Sequence, residues 1–123
     1  MEPTRNAAAV DAAYLDRQRA WSTETFGPGA RTQQIIAHIR QELEEIAENP
    51  ADVTEWLDVV ILALDGAWRT GLGSQEVLDA LAAKRDRNEA RTWPDWRTIP
   101  STEPIRHLTD PLAPPPTSPH DGA

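Results

Sequence analysis

Apolar residues recur at helical spacing as far as about residue 91, in segments that are separated by glycine and proline. The first segment, about residues 7–25, has one broad apolar face and ends at Phe26-Gly27-Pro28-Gly29. The second, about residues 32–48, ends at Asn49-Pro50. Both patterns predict amphipathic helices. The apolar faces consist of Val10, Ala13, Tyr14 and Trp21 in the first segment, and of Ile35, Ile36, Ile39, Leu43 and Ile46 in the second.

A third helix is predicted to begin after Asp52, whose side chain suits the N-cap position, and to end at Gly71 or Gly73. Its middle, residues 59–64, is apolar nearly all round, which predicts the most buried helix of the fold. The β-branched residues there make a strand the competing local interpretation. Helical spacing continues through Trp68 without a turn signal, so we favour a helix.

A fourth helix is predicted to begin at Ser74, a good N-cap residue, and to end near Arg91. Its inward positions are Val77, Leu78, Leu81 and Ala82. Seven of the eleven prolines follow Ile99, where they prevent another helix. The sequence therefore predicts an all-α, antiparallel bundle of about four helices over residues 1–97, and a proline-rich, extended or disordered tail over residues 98–123. Four helices leave little to cover every apolar face, so we expect an oligomer.

Composition narrows the functional classes. The 123 residues include 12 Lys and Arg against 20 Asp and Glu, a net charge of −8, which argues against a nucleic-acid polymer as partner. There is no cysteine, which excludes thiolate zinc sites and a cysteine nucleophile and suits a reducing cytoplasm. The longest apolar run, residues 59–64, is far too short to span a membrane, and the N-terminus lacks a signal-peptide pattern. We expect a cytoplasmic protein without a membrane partner.

Two pairs of acidic residues are candidates for a functional site. Glu42 and Glu45 lie three apart on the second helix, and Glu55 and Asp58 lie three apart on the third. At that spacing two side chains share one helix face, with Cβ atoms about 5–6 Å apart. The short turn at Asn49-Pro50 would fold the two helices into a hairpin, so four carboxylates are expected to converge.

Converging carboxylates repel one another unless cations lie between them. Oxygen ligands favour Mg²⁺ or Mn²⁺, so we predict a metal site. Two alternatives need no metal: a solvated acidic face, and a capping box formed by Asp52 with Glu55. Asp58 precedes the most apolar run, where a partnered carboxylate is most expected. Asp65 could support the site or belong to the polar stripe of its helix, and we favour the polar stripe.

Several short motifs resemble, in order, those of one enzyme family. They are Phe26-Gly27-Pro28-Gly29, His38-Ile39, Gln41-Glu42-Leu43-Glu44-Glu45, Glu55-Trp56-Leu57-Asp58, Asp65-Gly66-Ala67-Trp68-Arg69, the basic stretch 84–91 and Trp93-Pro94-Asp95-Trp96. The acidic motifs resemble the signature of the MazG-like, all-α nucleoside triphosphate pyrophosphohydrolases. The whole series, over about residues 14–97, is similar to their dATP/dGTP diphosphohydrolase branch, which includes enzymes of bacteriophages with 2-aminoadenine genomes.

The resemblance implies hydrolysis of dATP and/or dGTP to dNMP and pyrophosphate, which would shape the dNTP pool. It implies two or more Mg²⁺ or Mn²⁺ ions on Glu42, Glu45, Glu55 and Asp58, with Glu42 or Glu45 accepting the proton of the attacking water. Lys84, Asn88 and Arg91 would contact phosphate or sugar. Trp93 is a candidate for the base, and His38, one turn before Glu42, would contact a ligand carboxylate or the substrate.

The same resemblance implies a homodimer or homotetramer with nucleotide sites near the subunit interfaces, and the host cytoplasm if the protein is phage-encoded. Two alternative functions stay open at this point. One is a pyrimidine dNTP (dUTP or dCTP) pyrophosphohydrolase of the same fold. The other is a non-enzymatic helical module whose acidic face binds a basic partner, with the tail as a tether.

Overall fold

The computed structural model describes residues 9–109, and in these residues it contains four α-helices, one short 3-10 helix and no strand. The helices are α1 (Ala12–Phe26), α2 (Thr32–Glu48), α3 (Val53–Trp68) and α4 (Ser74–Ala90), and the 3-10 helix is Trp96–Thr98. The all-helical prediction is confirmed, and residues 59–64 lie inside α3, as the helical interpretation requires. Residues 7 and 8, which the prediction included in the first helix, lie outside the described residues.

Helix ends follow the capping residues of the sequence. The Asp11 side chain accepts a hydrogen bond from the Tyr14 backbone N–H at the start of α1, and Asp52 accepts one from the Thr54 N–H at the start of α3, as predicted. Ser74 is the first residue of α4 instead of its N-cap. Its hydroxyl donates to Asp16 on α1, so this side chain connects two helices.

The chain forms two units that divide between Leu81 and Ala82. In the first unit α3 packs against both α2 and α1, and α2 and α3 run antiparallel because only four residues join them. One buried cluster consists of Leu15, Trp68 and Val77, with Leu64, Ala67 and Leu78 packed against it, and Ile35 and Ile46 of α2 are also buried. The fold therefore presents α2 and α3 as a hairpin, with α1 against α3.

The burial pattern differs from the prediction in α1 and α3. On α1 the buried side chains are Leu15 and Ser22, whereas most of the predicted apolar face, including Trp21, is exposed. On α3 the buried residues are Asp65 and Trp68, and half of the Val60 surface is exposed. Among the described helices α3 has the largest share of buried and partly buried residues, as predicted, but its apolar run is only partly covered because two neighbouring helices contact only part of its surface. None of the described helices is long and apolar enough to cross a membrane.

The second unit contains the end of α4 and the residues that follow it. Leu81 and Ala82 were predicted to face inward, but both are exposed. Within the predicted tail, residues 99–109 contain no helix or strand. Residues 110–123, which carry most of the tail prolines, lie outside the described residues, and the domain boundary after residue 97 stays a prediction.

Candidate metal centre

The α2–α3 hairpin brings three of the four predicted carboxylates together. Glu42 and Glu45 from α2 and Glu55 from α3 each offer an oxygen, and these oxygens lie within 4.8 Å of one another. The three-residue spacing places the two α2 side chains on one face, and the tight turn after α2 brings the start of α3 beside them. Three oxygens at this separation can share one small divalent cation.

Glu42 is the most buried member of this acidic group, with 7% of its surface exposed. One carboxylate oxygen, Oε1, lies 3.3 Å from Nε2 of His38, which is one turn earlier on α2. The other, Oε2, is buried and has no hydrogen-bond partner among the described residues. Because burying an unpaired carboxylate oxygen is costly, this atom is suited to a bound cation.

The pKa values of two members are raised in the absence of a cation. The pKa of Glu55 rises from 4.5 to about 7, mainly through a hydrogen bond shared with Glu45, and further through burial and the charges of Glu45 and Glu42. The pKa of Glu42 is also raised, first by burial and then by its contact with Glu45. Without a cation, negative charge on these carboxylates is therefore unfavourable, and a divalent cation would offset it, so the residues present fit a metal site.

Asp58, the fourth predicted ligand, is not a member of the group within 4.8 Å. It is near enough for its charge to raise the pKa of Glu42. Its side chain is exposed, because the apolar run that follows it is itself only partly covered within one chain. The expectation that Asp58 is a buried, partnered carboxylate is therefore wrong, and its coordination of a metal stays a prediction.

The structure argues against both alternatives that need no metal. Glu44 and Glu48 are exposed, as a solvated face requires, but Glu42 is buried. A reciprocal capping box would use the Asp52 backbone N–H, which instead donates to the Asn49 carbonyl. Asp52 caps α3 without a reciprocal bond from Glu55, and the Glu55 carboxylate belongs to the acidic group.

Asp65 is a buried residue that the sequence pattern had assigned to the polar stripe of α3. It is only 4% exposed, so it is not part of a polar stripe. Its carboxylate accepts hydrogen bonds from the Ser22 hydroxyl at 2.9 Å and from the Arg69 guanidinium at 2.9 Å. Arg31 lies 3.3 Å away and completes an ion-pair network. A sequence signal existed, since Asp65 and Arg69 lie four apart on an otherwise apolar helix.

The same network holds the loop between α1 and α2. Arg69 donates from Nη1 to the backbone carbonyls of Gly27 and Gly29, both at 2.8 Å. Both glycines have positive φ values, +95° and +83°, which a residue with a side chain rarely adopts. The loop conformation therefore depends on glycine at these positions and on Arg69, which fixes the start of α2 and hence the helix that carries Glu42.

The predicted substrate residues other than His38 belong to the second unit. At the end of α4, Arg91 donates to the Asn88 side-chain oxygen at 3.1 Å, and the Trp93 indole N–H donates to the Asn88 backbone carbonyl at 2.7 Å. Lys84 is exposed and lies one helical turn before Asn88. The structure thus brings Asn88, Arg91 and Trp93 into direct contact.

Comparison with known proteins identifies the family of the chain. A family model described as dATP/dGTP pyrophosphohydrolase matches residues 14–111, which extends past the last motif recognised in the sequence. No curated protein and no solved structure matches the chain. The match covers most of the chain, and the all-helical fold fits the MazG-like superfamily. The chain therefore belongs to the dATP/dGTP pyrophosphohydrolase family, a family of enzymes.

Proposed function

We propose that this protein hydrolyses dATP and/or dGTP to the deoxynucleoside monophosphate and pyrophosphate, with Mg²⁺ or Mn²⁺ as cofactor. The observation that carries the proposal is the acidic group itself. Three carboxylates converge, and one of them has a buried oxygen without a partner, in a chain of this family. Family membership also leaves the non-enzymatic interaction module without support.

The metal ligands in this proposal are Glu42, Glu45 and Glu55, with Asp58 as a fourth. All-oxygen donors suit Mg²⁺ or Mn²⁺, and four carboxylates carry enough charge for two or more ions. A metal ion held by these residues would bind phosphate oxygens and lower the pKa of a water molecule. Glu42 or Glu45 would accept the proton of that water as it attacks the α-phosphorus.

The surrounding residues would orient the site and the substrate. His38 contacts Glu42 and is half exposed, so it can hold that carboxylate in position or reach the substrate. Arg91 and Lys84 would neutralise charge on the leaving pyrophosphate. Asn88 would contact phosphate or sugar, and Trp93 the base. Arg91 and Trp93 are both held by Asn88, which keeps their positions coupled.

An oligomer is part of this proposal. Apolar side chains on α3 are exposed in one chain, with Leu57 at 49%, Val60 at 50% and Ile61 at 38%. A homodimer or homotetramer would bury them and gain about 25 cal/mol for each Å² of apolar surface. Leu57 lies between Glu55 and Asp58 in the sequence, so an interface here would place the sites near the subunit boundary.

The proposed setting is the cytoplasm, where dNTP pools are found, or the host cytoplasm if a bacteriophage encodes the protein. There the enzyme would shape the dNTP pool by removing purine deoxynucleotides.

The experiment is a panel of all four dNTPs and dUTP, each with Mg²⁺ or Mn²⁺, in which the products are identified. We expect dAMP or dGMP together with pyrophosphate, and no turnover in EDTA. Release of orthophosphate, or no turnover of any purine nucleotide, would overturn the proposal. Preferential turnover of dUTP or dCTP would replace the purine assignment by the pyrimidine one.

A further inference from the structure

A short segment of the second unit, residues 105–108, contacts the residues that follow α4, and we refer to it as the strap. The Leu108 backbone N–H donates to the Thr92 carbonyl at 2.7 Å. The His107 ring meets the Trp93 ring in an edge-to-face arrangement, with the centroids 5.8 Å apart and the planes at 74°. The family match includes this segment, since it extends to residue 111. Part of the predicted tail therefore lies within the family match and packs against a proposed substrate residue.

The Trp93 indole can offer a ligand only its ring. Its single polar hydrogen is the N–H, and that group donates to the Asn88 carbonyl at 2.7 Å. The residue is nevertheless 39% exposed, so part of the ring surface is accessible. A ring of this kind binds a base by stacking, which depends on the area of the base and not on the hydrogen-bonding groups at its edge.

Stacking requires a fixed ring orientation, and two contacts hold the Trp93 ring. The Asn88 carbonyl fixes its N–H edge, and His107 supports the ring from the strap. The His107 Nδ1 atom is buried and has no hydrogen-bond partner among the described residues, so no hydrogen bond at this atom accounts for the ring position. The edge-to-face contact with Trp93 is therefore the interaction that the His107 ring makes in this segment.

We propose that His107 is a positioning residue that holds the Trp93 indole as a stacking platform for the purine base. Adenine and guanine present similar ring areas and different edge groups, so a platform of this kind accepts both. The smaller pyrimidine rings stack less well. This inference rests on the proposed function and specifies how the protein selects purine nucleotides.

The test is steady-state kinetics of the full chain with dATP and dGTP in the presence of Mg²⁺. His107→Ala should raise KM for both substrates about two- to twelvefold, which is the fold-change that corresponds to the coupling free energy of an aromatic pair. The value of kcat should change by less than about twofold. His107→Phe should restore KM, because phenylalanine presents a similar aromatic edge. Trp96→Ala is the matched control, since Trp96 is an aromatic residue of the same unit that is 65% exposed and contacts Arg97.

A double-mutant cycle separates positioning from a general structural effect. Trp93→Ala should raise KM at least as much as His107→Ala, and His107→Ala should add nothing further in the Trp93→Ala background. An unchanged KM in His107→Ala, an additive double mutant, or failure of His107→Phe to restore KM would overturn the inference while leaving the proposed function intact. Absence of turnover of either purine dNTP by the unmodified protein would overturn both.

Discussion

Replacing Arg69 with methionine tests the buried polar network that joins α3 to the loop between α1 and α2. The Arg69 side chain is 6% exposed and makes four hydrogen bonds, to Asp65, to Ser22 and to the carbonyls of Gly27 and Gly29. Methionine keeps an unbranched apolar chain but removes the charge and every donor. The variant therefore leaves a buried carboxylate and two loop carbonyls without their main partner.

The expected loss in the free energy of unfolding follows from what remains around Asp65. Removing one partner of a buried ion pair costs about 3–5 kcal/mol. Arg31 at 3.3 Å and the Ser22 hydroxyl still contact the carboxylate, so we expect the lower end, about 3 kcal/mol. That is a large share of the roughly 5–15 kcal/mol by which a domain is stable. The melting temperature should fall by about 12 °C or more.

The assay is urea unfolding followed by circular dichroism, with Arg85→Met as the matched control. Arg85 also pairs with a carboxylate four residues away, Glu89 at 3.6 Å, but the two side chains are 74% and 70% exposed. That variant should lose less than about 0.5 kcal/mol. The double variant Asp65→Asn with Arg69→Met should regain part of the loss, because the buried charge is removed. A loss below about 1 kcal/mol in Arg69→Met would refute this reasoning.

Three further predictions concern the metal centre and the exposed face of α3. Glu45→Gln should abolish turnover with an unchanged circular dichroism spectrum, and full activity would show that other carboxylates carry the reaction. The pKa values of Glu42 and Glu55 are raised without metal, that of Glu55 to about 7. These two groups therefore stabilise the folded protein below pH 4.5, and this contribution is lost as pH rises through 7. Mg²⁺ should therefore raise the melting temperature more at pH 8 than at pH 5, and an equal rise at both would contradict the proposed ligands. Light scattering should give a dimer or tetramer that Val60→Glu dissociates and the exposed control Gln75→Glu does not, whereas a monomeric parent protein would contradict the proposed interface.

Local sequence signals predicted most of the helices and much of the acidic group. The bounds of α2 agree with its apolar spacing, and Asp52 caps α3 as its residue type indicates. Glu42, Glu45 and Glu55 converge because helical spacing and a short turn fix their relative positions. These features depend on interactions between residues that are close in the sequence, so a single sequence specifies them.

The features that were missed depend on which distant segments meet. The pattern of α3 could not show that only two helices cover it within one chain. The spacing of Asp65 and Arg69 indicated an ion pair, but the burial of Asp65 could not be predicted, because it depends on distant segments such as the one that carries Ser22, 43 residues away. The contact of His107 with Trp93 likewise joins a segment assigned to the tail to a residue next to α4. A helical pattern in the sequence predicts which face of a segment is apolar, but it does not predict which other segments pack against that face.

The central claim is that water attacks the α-phosphorus of a purine dNTP at the acidic group that Glu42, Glu45 and Glu55 form. The most direct measurement is hydrolysis of dATP with Mg²⁺ in ¹⁸O-labelled water, followed by mass spectrometry of both products. We expect one labelled oxygen in dAMP and unlabelled pyrophosphate. Label in the pyrophosphate, or formation of dADP with orthophosphate, would contradict the claim.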